Sequence, residues 1–295
     1  MKTKTKFNLK NIINKSCLYI VPTPIGNLLD ITKRSLLILE QVNIIAAENI
    51  FHTIILLKNF NIKKKKIISF HKYNEEKKTD YLVKKLLSGE TVALVSNAGT
   101  PIINDPGFVL VKKCQKKKIR VIPLPGACSI ITALVGSGLP ANKFSYEGFF
   151  PKKKNIKKIL KTIKKNNRTT IFLESSHRII NSMKQIVNEL GENKKISIAK
   201  EITKVWELFY KSTAIKILKF LQKESKNKNG EFIILIKGKK QKKKQTETKR
   251  ILNILNKELP LKQSILLTSK ICQEKKNQIY KEAIKNIKND KYKKT

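Results

Sequence analysis

Residues 92–107, VALVSNAGTPIINDPG, decide how this chain is read. Val92, Ala93, Leu94 and Val95 form a continuous apolar run, the pattern of a strand buried on both faces of a parallel sheet. The run stops at Ser96, Asn97, Ala98, Gly99, Thr100 and Pro101, which are small or turn-forming. Asn104 and Asp105, with Pro106 next, read as a helix cap followed by a proline in the first turn. The loop therefore lies between the carboxyl end of a strand and the start of a helix, where open α/β sheets bind ligands. Gly99 and Gly107 let the backbone approach a ligand, Asn97 and Thr100 offer hydrogen bonds, and no nucleophile stands beside a base. Both a grip on a cofactor and a plain turn fit the stretch by itself.

Working outward, residues 18–21, 44–47 and 67–70 read as further buried strands, and 119–122 as a fifth. Helices alternate with them. Ile31, Leu36, Leu37 and Leu39 recur at helical spacing behind a cap at Asp30, 54–57 begin a second helix, and 79–87 form a third stopped by Gly89. This alternation describes one parallel sheet. A second glycine loop, Pro123 to Ser129 (PLPGACS), leads into a helix over 130–135 and again sets backbone N–H groups at a helix start. Gly136, Gly138 and Pro140 close this part, and YEGFFP at 146–151 reads as the crossing into the next.

The second part opens with a lysine-rich helix at 156–163. A strand at 169–173 runs into the polar corner Glu174, Ser175, Ser176, His177, Arg178, and a helix follows, ending near Gly191. A strand at 196–199 delivers Lys200, Glu201, Thr203 and Lys204, a further strand covers 205–210, a helix 215–221, and a last strand 232–236, so the second sheet is expected to be mixed. Residues 237–249 read as a flexible, extended basic linker. Beyond it, apolar residues at helical spacing form three short helices that fit a helix-turn-helix unit or a plain oligomerisation knob. The expected organisation is a basic arm (1–16), two α/β domains (17–140 and 141–238), the linker (239–249), the helical unit (250–287) and a basic tail (288–295).

The 295 residues carry a formal net charge of +43. Only five of the 64 basic residues are arginine: Arg34, Arg120, Arg168, Arg178 and Arg250. Lysine, isoleucine and asparagine share A/T-rich codons, so the charge divides between a solvated lysine surface and a polyanion partner. Cys17, Cys114, Cys128 and Cys272 have neither CxxC spacing nor a histidine cluster, which argues for free thiols in a reducing cytosol and against a zinc site. No apolar run reaches the ~18 residues of a membrane span, and the basic N-terminus lacks the apolar core of a secretory signal.

Seven motifs, LYIVPTPIGNLLDIT, IIAAENIFHT, ALVSNAGTPIINDPG, PLPGACSIITAL, YEGFFP, IFLESSHR and AKEITKVWE, occur in an order and spacing that resembles the rRNA-methylating branch of the tetrapyrrole methylase superfamily. The resemblance covers about residues 17–285. It implies a two-domain α/β fold with a cofactor cleft between the domains and a small C-terminal helix-turn-helix-like unit. It also implies a cytoplasmic homodimer that uses S-adenosylmethionine to methylate the ribose 2′-hydroxyl of cytidine 1402 in 16S rRNA of the 30S subunit. Asn97 and Asn49 stand where that family usually carries acids, which implies a weaker attraction for the cofactor's positive charge.

The cofactor-binding set implied by these loops is Pro24, Asn97, Gly99, Thr100, Pro101, Ser129 and Ile130. For proton removal or substrate phosphate the candidates are Lys200 with Glu201 and His177 with Arg178, expected at strand ends facing the cleft. An ion bridge between Glu201 and Arg178 is the structural alternative. Glu48 and His52 are expected to hold loops together, as are His71 and Asn74, and Trp206 either stacks on a base or packs in a core or dimer interface. Two other functions remain open: methylation of a small tetrapyrrole-type substrate, and rRNA binding without methyl transfer.

Overall fold

In the computed structural model, residues 14–63, 65–152, 155–239 and 245–291 are described; most of the expected N-terminal arm, the heart of the linker and the last four residues lie outside them. The described residues up to Gly238 form one compact unit, and those from Lys239 onward a second.

The first unit holds two five-stranded sheets. The N-terminal sheet comprises β1 (Cys17–Ile20), β2 (Ile44–Ala47), β3 (Lys66–Ser69), β4 (Val92–Val95) and β5 (Arg120–Pro123), in the order β3-β2-β4-β1-β5. All its pairings are parallel. Alternation sorts its residues: Leu18, Ile20, Ala46, Val92 and Leu94 pack on one face, and Tyr19, Val21, Ile45, Ala93 and Val95 on the other. Helices α1 (Lys33–Gln41), α2 (Ile50–Asn59), α3 (Glu75–Leu87) and α4 (Phe108–Lys116) are its crossovers. The second sheet comprises β6 (Phe144–Phe149), β7 (Thr169–Ser175), β8 (Lys195–Lys200), β9 (Leu208–Thr213) and β10 (Glu231–Ile236), in the order β6-β7-β10-β8-β9. Only β6 and β7 pair in parallel, so this sheet is mixed.

Helix α5 (Ser129–Gly136) joins the two sheets. Its Ile130, Ala133 and Leu134 pack against Ile171, Ala199, Ile233 and Leu235 of the second sheet. The other face of that sheet carries Phe172, Ile198, Phe232 and Ile234. It is covered by α6 (Ile156–Lys165), α7 (Ile179–Leu190) and α8 (Ala214–Lys223), with the short α9 (Ser225–Lys228) following. In the second unit α10 (Gln245–Glu258), α11 (Leu261–Cys272) and α12 (Lys276–Lys291) enclose a small core of Leu252, Ile265, Ile279 and Ala283. Pro260 starts α11, and Gln273, in the left-handed region at φ 50°, ends it.

Five expectations need correction. Asp30 does not cap α1; it ends a short 3-10 turn, and Thr32 caps the helix by accepting from the Ser35 N–H at 3.0 Å. Asn104 and Asp105 do not cap α4 either. The Glu75 carboxylate of α3 accepts from the N–H groups of Gly107 (2.9 Å) and Val109 (3.1 Å), so a residue 32 positions upstream does the capping. The segment at 146–151 is not a plain crossing, because 144–149 form edge strand β6, with a register shift between Tyr146 and Phe149 around left-handed Gly148. No strand covers 205–207: these residues turn, with Glu207 N–H donating to the Lys204 carbonyl at 3.1 Å, and β9 starts at Leu208. Residues 245–249 are helical rather than extended, as the start of α10.

Asp105 has a different environment from a solvated cap. Burial, then the nearby Glu48 carboxylate, push its pKa up to about 6 against an opposing hydrogen bond from Ser96.

Two outcomes follow. A Cβ on Gly136 would meet the Phe209 ring at 2.4 Å, so Gly136→Ala is expected to lower stability by about 1–3 kcal/mol in urea denaturation. Pairing it with Phe209→Leu should recover much of the loss. Asp105 holds its proton more tightly folded than unfolded, so its protonation stabilises the fold at low pH and that contribution is lost as pH rises through about 6. The stability of the wild-type protein relative to Asp105→Asn should accordingly fall between about pH 4 and about pH 7; a flat difference would contradict this.

Candidate active site

Three loops leave the carboxyl ends of the neighbouring strands β4, β1 and β5, and they are bonded into one piece. Thr23 and Gly99 exchange backbone hydrogen bonds, each 3.0 Å long. The Thr23 hydroxyl donates to the Ser96 carbonyl (3.2 Å), and the Thr100 hydroxyl to the Ala127 carbonyl (3.0 Å), which ties in the loop before α5. Gly99 sits at φ +80°, and a Cβ there would meet Ile25 at 3.1 Å. A Cβ on Gly126 would strike the Pro22 ring at 2.6 Å. These glycines are demanded by the close approach of one loop to the next.

Between these loops and the second sheet lies a cavity of about 220 Å³. Ile25, Ala98 and Ser129 come from the loop side, and Phe149, Leu173, Ile202 and Ile233 from the other, with Glu174 and Glu231 at the strand ends. Ser129 begins α5, which has no side-chain cap, so its first N–H groups remain free of an intrahelical partner. The arrangement can take a flat apolar group between aliphatic walls and an electron-rich group at the helix start. A second cavity of about 200 Å³ lies on the α2 side and is lined in part by Pro24, His52, Ser96 and Asn97.

The residues expected at the cofactor are thus divided by the structure. Ser129 lines the cavity between the sheets; Gly99 and Thr100 lock its loops; Pro101 and Ile130 are buried beside them. Pro24 and Asn97 border the α2-side cavity instead. Asn97 is exposed, and its N–H donates to the Glu48 carboxylate at 3.0 Å, so Glu48 does hold this loop. Asn74 likewise fixes its loop, accepting from the His71 N–H at 2.8 Å and donating to the Ser69 carbonyl at 3.1 Å. Ile25, Phe149, Leu173, Ile202 and Ile233 were missed, since apolar residues carry no signal of chemistry; only the position of Ile25 and Phe149 inside PTPIGN and YEGFFP could have flagged them.

The structure does not bring the four acid–base candidates together, nor does it turn them all to the cleft. Phe232 stands in register between Glu174 and Lys200 and packs under α6, α7 and α8, so Lys200 lies on that face, away from α5, while Glu174 and Phe232 also border the cavity between the sheets. The Lys200 ammonium donates to the Lys226 carbonyl at 2.5 Å. Arg178 donates to the carbonyls of Phe150 (2.8 Å) and Pro151 (3.1 Å) and lies 3.7 Å from Glu174, whose carboxylate also accepts from Ser182. Glu201 accepts from Lys204 (3.0 Å) and from the Glu231 N–H (2.8 Å), and backbone bonding, with Lys204, holds its pKa below the usual range against the cost of burial. A Glu201–Arg178 ion bridge is therefore absent, each having another partner. His177 is exposed on the turn between β7 and α7.

Comparison with known proteins agrees with this geometry. The family model for Tetrapyrrole (Corrin/Porphyrin) Methylases matches residues 17–218. "Ribosomal RNA small subunit methyltransferase I" of Buchnera aphidicola subsp. Schizaphis graminum is 52% identical over 281 residues, covering 93% of this chain and 98% of the relative. The protein of the same name from Escherichia coli O157:H7 is 44% identical, covering 90% and 94%. Among solved structures, diphthine synthase superposes with a TM-score of 0.58 at 12% identity over 75% of this chain and 90% of that one. A cobalt precorrin-4 methyltransferase gives 0.52 at 14% identity over 77% and 98%. On the family model and on these relatives, this chain belongs to the tetrapyrrole methylase family and within it to the ribosomal RNA small subunit methyltransferase I proteins.

Proposed function

We propose that the protein transfers a methyl group from S-adenosylmethionine to the ribose 2′-hydroxyl of cytidine 1402 of 16S rRNA in the 30S subunit, acting as a homodimer in the cytoplasm. The observation that carries this reading is the 52% identity, along nearly the whole chain, to a protein named for small-subunit rRNA methylation. A tetrapyrrole-type small-molecule substrate gains no comparable support, since the solved tetrapyrrole enzymes share only the fold, at 14–15% identity.

In this reading the cavity between the sheets receives the adenine end of the cofactor. Ile25, Ile202 and Ile233 would flank an adenine, and Ser129 with the free N–H groups of α5 would receive a polar acceptor. When bound there, S-adenosylmethionine supplies an electrophilic methyl group on a sulfonium. What remains for the protein is to hold the 2′-hydroxyl in line and exclude water, since the displacement needs no covalent help. The locked loops supply that rigidity. In this reading Arg178 and Lys200 are positioning residues: Arg178 fixes the chain leaving β6, and Lys200 fixes α9. Glu201 holds the turn after β8, and exposed His177 is free to meet RNA phosphate.

Expressed in cells lacking the endogenous enzyme, the protein should restore 2′-O-methylation of that cytidine, read by mass spectrometry of the 16S rRNA fragment. An unmodified cytidine with soluble protein present would overturn this reading and leave RNA binding without transfer or a small-molecule substrate. Calorimetry tests the cavity: Ala98→Trp, which obstructs it, should weaken S-adenosylmethionine binding at least about tenfold. Ile55→Trp, in the α2-side cavity, should leave it unchanged.

A further inference from the structure

The turn between β8 and β9 presents the chain's single tryptophan to solvent. Trp206 is 75% exposed and Val205 90%, although the residues around them are tightly tied. Thr203 N–H donates to the Glu207 carboxylate at 2.6 Å, and Lys204 N–H to the Glu201 carbonyl at 3.0 Å. Glu201 and Thr203 both hold left-handed conformations, at φ 48° and 66°. A rigid turn that strains two non-glycine residues while leaving its largest apolar side chain in water is not explained by packing.

Trp206 borders a cavity of about 460 Å³ with Leu208, Glu201, Glu207, Asn227 and Lys226. Glu201 and Gly230 line this cavity, and their chain neighbours Ile202 and Glu231 line the one between the sheets. The same turn touches the loop after β1, where the Asn27 N–H donates to the Thr203 hydroxyl at 3.1 Å.

The chemistry of the lining selects the occupant. Its two ammonium groups each hold a partner in the protein, Lys200 the Lys226 carbonyl and Lys226 the Glu224 carboxylate at 2.8 Å, and the carboxylates of Glu201 and Glu207 stand beside them, which weakens the pull of the site on a phosphate. What the walls offer is an aromatic face, apolar Val205 and Leu208, and acceptors. Asn227 uses its amide N–H on the Phe220 carbonyl, which leaves its oxygen, alongside the Glu207 carboxylate. An aromatic face beside acceptors matches a base with an exocyclic amino group.

From this we infer that the Trp206 cavity is a docking site for one amino-bearing nucleobase of the RNA strand, with the indole as its stacking platform. The inference builds on the reading of the protein as an rRNA methyltransferase, and its test separates from that reading.

Because Trp206 is the only tryptophan, its emission in the full-length protein reports on this cavity alone. Hexacytidylate, without cofactor, should quench it saturably, whereas an abasic ribose-phosphate strand of the same length and hexauridylate should quench it weakly. Equal quenching by the abasic strand or by hexauridylate, or none by hexacytidylate, overturns the inference. So does emission that is already blue-shifted and shielded from iodide in the free protein, which would give this face to a second copy. In steady-state methylation of 30S subunits, Trp206→Ala should raise KM for the subunit about tenfold and leave S-adenosylmethionine affinity unchanged, with Trp206→Phe recovering most of the loss. An unchanged KM in the alanine variant refutes the site. Quenching by hexacytidylate in a protein that methylates no rRNA would keep the site and remove the activity.

Discussion

The fold around the cleft depends on one reciprocal pair of backbone hydrogen bonds, Thr23 to Gly99 and Gly99 to Thr23. Two crossover loops that would otherwise move separately become a two-residue antiparallel bridge at the carboxyl edge of a parallel sheet. That bridge requires Gly99 at φ +80°, a conformation costly for any residue with a Cβ. The Thr100 hydroxyl extends the bridge to the loop before α5. Since α5 is also the helix on which the second sheet packs, the position of the far wall of the cavity follows from the position of the near one. Preorganisation of this kind is what a displacement reaction needs from a protein, because little else lowers its barrier.

The sequence was informative where burial alone decides structure. Apolar runs such as Ile44–Ala47 and Val92–Val95 have no competing explanation inside a sheet covered on both faces, so strand existence and parallel pairing were both legible. Caps were less so. Asn104-Asp105-Pro106 has the local chemistry of a helix start, yet the carboxylate that caps α4 arrives from α3, and no local pattern can show a partner 32 residues away. Residues 205–210, VWELFY, read as a strand from propensity, and the turn bonds of Glu201, Thr203 and Glu207 override that propensity in its first half.

The candidate site was half legible for a related reason. Glycine loops announce themselves, whereas the direction of a side chain at a strand end depends on register, a tertiary property. Glu174 and Lys200 are two polar residues at the ends of the strands that flank β10, and one residue of register separates the cleft face from the face under α7 and α8. Pairing with Phe232 puts Lys200 on the latter, while Glu174 also borders the cavity between the sheets. The charge candidates fared alike: Lys200 and Arg178 were expected at proton removal or substrate phosphate, and each donates to a backbone carbonyl.

The two asparagines that replace the family's usual acids are accommodated by what surrounds them. Asn49 caps α2, its side-chain oxygen accepting from the N–H groups of Phe51 (2.9 Å) and His52 (3.3 Å). Asparagine and aspartate are nearly equivalent in that role, so the helix loses nothing by the exchange. Asn97 lies on a loop that already contains acidic neighbours: Glu48 accepts its N–H, and Asp105 is pushed up to about 6 by burial and by Glu48. A third carboxylate there would add negative charge beside Asp105, whose ionisation burial already opposes. The amide keeps hydrogen-bonding capacity at position 97 without adding charge to that cluster, so the acid's absence relieves a local repulsion while the loop geometry that builds the cleft is carried entirely by Thr23, Gly99 and Thr100.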